Sequence, residues 1–181
     1  MRVFLSVFAL IFVAELPGKT TFATILLAAR SRPWKVFLGA CAAFLIHVVI
    51  AIAAGRLLAR MPPRILQACV GAIFLALAVV LWREGSRTEP LPARAGGFAG
   101  AFALVFVAQW GDPSQLATAA LAARYSAAAV FAPATLAFWS IAGLASALGR
   151  HSKARVPAKL LHRAAAAVFA ALGLILLTRA A

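Results

Sequence analysis

Six stretches of the chain read as membrane-crossing helices from their run of apolar residues: 3–29, 36–58, 65–82, 98–123, 127–148 and 160–178. A spanning helix needs about 20 predominantly apolar residues; the third stretch is short and the sixth barely adequate. The first and fourth are longer, and each is interrupted near its middle by polar, Gly and Pro residues. Short basic connections separate the others: residues 30–35, the turn from Arg60 to Arg64, a tight turn near Arg124, and 149–159. The polar connection 83–97 holds Gly, Ser, Pro and charges of both signs, and it marks the boundary between two halves. The predicted organisation is a first three-helix repeat over 1–86, a polar linker over 87–97 and a second three-helix repeat over 98–181.

The halves are related in sequence. Moved forward by 94 positions, residues 12–30 fall on 106–124 with nine of 19 identical, among them Phe12-Val-Ala on Phe106-Val-Ala and Leu27-Ala-Ala-Arg on Leu121-Ala-Ala-Arg. The same offset pairs Gly55-Arg56 with Gly149-Arg150, and Pro63 with Pro157. Self-similarity at a fixed period marks a repeat. An odd number of helices per repeat makes the second half enter the membrane from the opposite side. The predicted fold is therefore an all-α membrane protein, six transmembrane helices arranged as two inverted three-helix repeats, a plan that secondary transporters use to expose one central site alternately.

Composition sharpens this picture. Hydrophobic residues make up 65% of the chain and charged ones 12%, against about a quarter in soluble domains, so the lipid bilayer is its expected solvent. A net charge of +14 would attract nucleic acid, but the positive charges sit in clusters between apolar runs rather than along one face, and no nucleic-acid partner is expected. Lys and Arg instead set orientation. Six lie on one side (Arg2, Arg56, Arg60, Arg64, Arg124, Arg179) and eleven on the other, including Arg30, Arg32, Lys35, Arg83, Arg87 and Arg94. The richer side is expected to be cytoplasmic, with the 83–97 linker, and both termini outside, in a bacterial inner (plasma) membrane; the 56–64 cluster opposes this assignment. The apolar start resembles a signal peptide, yet it resumes after Glu15-Leu-Pro-Gly-Lys19 and reads as a retained span. Cys41 and Cys69 fall in apolar runs and imply neither a disulfide framework nor a zinc site. No nucleophile–base pairing, phosphate-binding loop or dinucleotide fingerprint occurs, so an enzyme is not expected. A homo-oligomer is allowed but not specified.

Of four acidic residues, Glu84 and Glu89 lie in the polar connection, whereas Glu15 and Asp112 lie inside apolar runs. Glu15 stands about 18 Å along its helix, near the bilayer midplane, where a charge costs about 2.5–3.5 kcal/mol on insertion scales. Pro17 removes the amide that would bond back to residue 13, and Gly18 loosens the same turn. The second interruption, Gln109-Trp-Gly-Asp112-Pro-Ser-Gln115, carries the other acid with Gly111 and Pro113 as breakers. Each half thus brings one carboxylate, one broken turn and a hydroxyl (Thr20, Ser114) to the same depth. Thr24 and Thr118 follow one turn later on the same face. Symmetry would join the breaks into a cavity of hard oxygen ligands: the carboxylates of Glu15 and Asp112 as metal ligands, the amide oxygens of Gln109 and Gln115, hydroxyls and freed carbonyls. Such ligands suit Ca²⁺, Mg²⁺ and Mn²⁺. A purely local reading is also open, in which Lys19 neutralises Glu15 four residues away and Asp112 caps a helix that starts at Pro113.

These residues resemble the signature of the small cation–proton exchanger family of bacteria, chloroplasts and the Golgi, in which Glu-x-Gly-Asp-Lys/Arg-Ser/Thr occurs once in the first helix of each three-helix repeat. The copies here read Glu15-Leu-Pro-Gly-Lys19-Thr20 and Gln109-Trp-Gly-Asp112-Pro-Ser114. The resemblance covers essentially the whole chain. It implies transport of a divalent cation, Mn²⁺ and/or Ca²⁺, in exchange for protons, with no resident cofactor. Departures are Gly18 where the family has Asp, Gln109 where it has Glu, and Pro113 where it has Lys or Arg. Four acids and two cations become two acids and Lys19, so the net charge of the site moves from −2 to −1, which weakens attraction for a divalent ion. Transport of another cation or small solute, or a non-transporting membrane subunit with a degenerate site, is the alternative. His47 has no polar counterpart in the other half (Ile141) and reads as a hydrogen-bonded packing residue or a proton relay; His151 and His162 are expected in solvent. Trp34, Trp82 and Trp139 read as interface anchors, and Trp110 as a wall of the cavity.

Overall fold

In a computed structural model, the described residues (1–84, 96–150 and 158–178) form α-helices joined by short turns. In chain order these are α1 (Arg2–Glu15), α2 (Lys19–Arg30), α3 (Pro33–Leu58), α4 (Pro63–Glu84), α5 (Gly97–Ala108), α6 (Pro113–Arg124), α7 (Ala127–Arg150) and α8 (Ala158–Thr178). Both predicted interruptions are real breaks: α1 turns into α2 through 67°, and α5 gives way to α6 over 109–112. Residues 87–95 of the predicted linker, His151 and the side chain of His162 lie outside the described residues. By length and composition α3, α4 and α7 can each cross a membrane among the described residues, with a fourth span if the bent α1–α2 pair is counted as one; α5 and residues 166–178 of α8 are shorter apolar helices. The protein is a multi-pass membrane protein.

Prolines 33, 63 and 113 each open a helix, where the missing amide hydrogen leaves nothing unsatisfied and the fixed φ favours the first turn. The packing then crosses between halves. α1 and α2 of the first half lie on α7 of the second, and α5 and α6 of the second lie on α3 of the first. α3 crosses α7, and α4 pairs with α8. At the α3–α7 crossing the rings of Phe44 and Phe138 stack with centroids 4.7 Å apart. These two residues differ by the repeat offset of 94, so the same position of each half meets itself at the centre.

Two of the closest approaches obey the same offset. A Cβ on Gly55 of α3 would strike the Ala119 carbonyl oxygen and the Ala122 methyl of α6, and one on Gly149 of α7 would strike the Ile25 carbonyl and the Ala28 methyl of α2. Small residues at such crossings let helix backbones touch, which is how helices gain packing energy where lipid competes for apolar side chains. Trp34 and Trp82 are exposed near helix ends, whereas Trp139, expected near an end, lies midway along α7; it is partly exposed and its Nε1 donates to the Cys41 carbonyl.

Candidate functional site

The first break ends α1 at Glu15. Pro17 cannot donate, and the chain turns within three residues. Gly18 N–H donates to the Glu15 carbonyl at 2.7 Å, and Thr21 Oγ1 donates to the same oxygen at 2.7 Å. A backbone group that would otherwise face lipid is thus satisfied locally. The Glu15 side chain is fully buried. Thr20 Oγ1 donates to its Oε1, and Ser114 Oγ lies 2.6 Å from its Oε2. Thr20 comes from the start of α2 and Ser114 from the start of α6, so both breaks are needed to build this environment.

At the second break Asp112 N–H donates to the Gln109 carbonyl at 3.1 Å, the counterpart of the Gly18–Glu15 bond. Gly111 holds the turn at φ 71°, a left-handed conformation that costs a residue with Cβ roughly 1–2 kcal/mol. Gly111→Ala is therefore expected to lower the thermal midpoint in detergent by about 2–6 °C; an unchanged midpoint would show that the turn adapts freely. Asp112 caps α6, its Oδ2 accepting from Ser114 N–H at 3.1 Å, as the local reading of the sequence proposed. The same oxygen also lies 2.9 Å from Ser114 Oγ. Capping and membership of a shared acidic site are therefore not alternatives here.

Ser114 Oγ is the meeting point. It accepts from Gln109 Nε2 at 2.7 Å and touches both carboxylates. A hydroxyl has one hydrogen and two lone pairs. With one lone pair occupied by Gln109, its single O–H can serve only one acid at a time. The Gln109 carbonyl oxygen is buried with no hydrogen-bond partner among the described residues, leaving an acceptor free beside the two acids.

Some predicted ligands stand elsewhere. Gln115 does not join the carboxylates: its Oε1 accepts from Gly111 N–H at 3.0 Å, and its Nε2 meets His47 Nδ1 at 2.8 Å. Thr24 and Thr118 are buried, but their hydroxyl hydrogens bond to the carbonyls of Thr20 and Ser114 one turn back, both at 2.7 Å. His47 is more involved than its sequence position suggested. Its Nε2 lies 2.9 Å from the Phe106 carbonyl, a group freed because Trp110 N–H bonds to Val107 instead. A carbonyl only accepts, so Nε2 carries the hydrogen and Nδ1 accepts from Gln115. Thr21 was not singled out from sequence; a second hydroxyl after a proline break is the signal that would have found it.

Among the described residues no group of three or more His, Cys, Asp and Glu gathers as a ready metal cluster; the acidic content is the pair Glu15 and Asp112. A cavity of about 230 Å³ reaches Asp112 from the side. Lys19, Trp110, Gly111 and Pro113 line it together with Leu77 and Val80 of α4, so Trp110 does wall the approach to the site. Pro17 and Gly18 are buried behind it, whereas Lys19 is exposed.

Residues 3–89 and 97–181 match the profile of the divalent cation/proton antiporter GDT1. The chain belongs to the GDT1 family. It is 29% identical over 174 residues to a GDT1-like protein of Synechocystis, covering 83% of this chain and 84% of that one. It is 32% identical over 179 residues to the chloroplastic protein PAM71 of Arabidopsis thaliana, covering 81% of this chain and 48% of that one. The chain thus spans most of its cyanobacterial GDT1 relative and about half of the chloroplast one. No solved structure matches it. GDT1 membership places the chain in a family of transporters rather than of enzymes.

Proposed function

We propose that this GDT1-family chain exchanges a divalent cation, Mn²⁺ and/or Ca²⁺, for protons across a bacterial inner membrane, with Glu15 and Asp112 binding either the cation or the proton. The observation that carries the reading is that Ser114 Oγ touches both acids, 2.6 Å from one and 2.9 Å from the other. In the proton-loaded state one acid would carry a hydrogen and share the Ser114 hydroxyl with the other. Removing that proton leaves two carboxylates sharing one hydroxyl, which a divalent ion neutralises using the free oxygen of Gln109. Competition between proton and cation for one pair of acids is the simplest coupling device, since both cannot occupy it together.

The topology proposed with it is six spans in two inverted halves, with α1–α2 and α5–α6 as broken spans. Supporting this are the reciprocal packing of α1 and α2 on α7 and of α5 and α6 on α3, and the self-meeting of Phe44 with Phe138. The test is flux of Mn²⁺ and Ca²⁺ in proteoliposomes under an imposed pH gradient. Ser114→Ala keeps the start of α6 intact and removes the shared hydroxyl, and it is expected to slow exchange about tenfold, the worth of one hydrogen bond to a charged group. A wild-type chain without pH-driven flux of either ion, or flux untouched by Glu15→Gln with Asp112→Asn, defeats the proposal. The two-acid site with a neutral Gln109 favours, as a second reading, a cation other than these two; a thermal-shift screen across cations separates them.

A further inference from the structure

A second cavity lies away from the acidic site, and we propose that it binds one anionic phospholipid, an acyl chain inside and the phosphate at Arg124. The groove encloses about 540 Å³ between α1 and α6 on one side and the α4–α8 pair on the other. Its walls are apolar: Leu10, Phe74, Leu121 and Leu172 come from α1, α4, α6 and α8 in turn. Its mouth is not, because Arg124 and Tyr125 line it where α6 ends. Val168 and Ile175 of α8 line the groove and are also exposed, so it opens sideways toward the bilayer.

Charge selects the headgroup. Arg124 is exposed and forms no ion pair among the described residues. Packing of Gly55 on Ala119, Ala122 and Ala123 brings the neighbouring Arg56 to the same edge, followed by Arg60 in the α3–α4 turn and Arg64 at the start of α4, all exposed. Of the acids, Glu15 and Asp112 are buried elsewhere, and neither lines the groove or sits in that turn. A guanidinium at a membrane surface above a hydrocarbon-lined slot matches a phosphodiester, which it binds through paired N–H donors. Occupancy has a structural consequence. α4 and α8 pack chiefly on each other, and α6 is the main element of the remaining body that α4 meets. A chain seated in the groove fills the seam and ties the pair to the body.

The test uses the full chain in detergent, with native mass spectrometry to count bound lipid and thermal unfolding to read its effect. Phosphatidylglycerol is expected to bind one to one and raise the thermal midpoint, while phosphatidylcholine of the same chain length binds at least about tenfold more weakly, the worth of a charged hydrogen bond. Arg124→Gln, a surface change, is expected to erase that preference without altering the midpoint of the lipid-free protein. Leu172→Trp, which fills the slot, is expected to reduce binding of both lipids. Equal binding of the two lipids to the wild type, a preference surviving Arg124→Gln, or a groove that takes up detergent or a second copy of the chain in place of lipid would overturn the assignment. None of these readouts passes through Glu15 or Asp112, so their outcome is independent of the transport proposal.

Discussion

Glu15→Gln is expected to reduce cation–proton exchange by at least about 100-fold while leaving the fold in place. The side chain is fully buried and held by Thr20 and Ser114. Glutamine has the same shape and keeps a carbonyl oxygen for one of those donors, so packing survives. Charge does not. With Glu15 neutral, the site retains one acid, Asp112, against the nearby Lys19, and its attraction for a divalent ion vanishes. Loss of a ligand exceeds the roughly 10–100-fold that removal of a supporting hydrogen bond costs a metal site. Asp112→Asn is the informative partner, because asparagine caps a helix as well as aspartate does. It isolates the charge of Asp112 from its structural task. The measurement is initial flux of Mn²⁺ and Ca²⁺ into dye-loaded proteoliposomes, beside the thermal midpoint of each variant. Wild-type flux in Glu15→Gln would show that the acid is merely structural; a collapse of the midpoint with the flux would show the same.

Gly55→Val and Gly149→Val are each expected to cost about 3 kcal/mol or more, the upper part of the range for overpacked sites, and to abolish recovery of monodisperse protein. What a Cβ meets there is the carbonyl oxygen of a facing helix, Ala119 in one case and Ile25 in the other. A side chain can rotate aside, but a helix backbone can yield only by moving the whole helix. Since α6 and α2 begin at the two breaks, any such displacement also separates Ser114 and Thr20 from Glu15. Size-exclusion profiles and thermal unfolding in detergent check the expectation. Variants that purify and unfold like the wild type would mean that these crossings are loose, and the symmetric packing inferred from them would lose its basis.

Most of the helix boundaries were legible along the chain because lipid imposes a strong local rule: a segment must be apolar, and its backbone must bond to itself. Breaks at 16–18 and 109–112 could be placed because Pro17 and Pro113 each remove a donor and because a carboxylate beside them is costly in hydrocarbon. The offset of 94 read along the chain recurs in the Phe44–Phe138 stack and in the contacts of Gly55 and Gly149. The partners of individual polar atoms were not legible. Gln115 has the chemistry of a ligand, yet its amide is taken by Gly111 and His47. Thr24 and Thr118 face inward, yet their hydroxyl hydrogens go to their own helices. Each of these groups had several acceptors within reach of its helix position, and periodicity cannot rank them.

Sequence alone determined that the chain lives in lipid, where its helices break, and which two acids must find compensation at that depth, because those follow from the cost of burying polar groups in hydrocarbon and act residue by residue. Only the tertiary structure decided that the Ser114 hydroxyl touches both Glu15 and Asp112, that His47 closes the carbonyl freed at Phe106, and that a basic-mouthed groove runs between the α4–α8 pair and the rest. Those outcomes depend on the angle and depth at which distant helices cross, quantities fixed by the packing of many small side chains together.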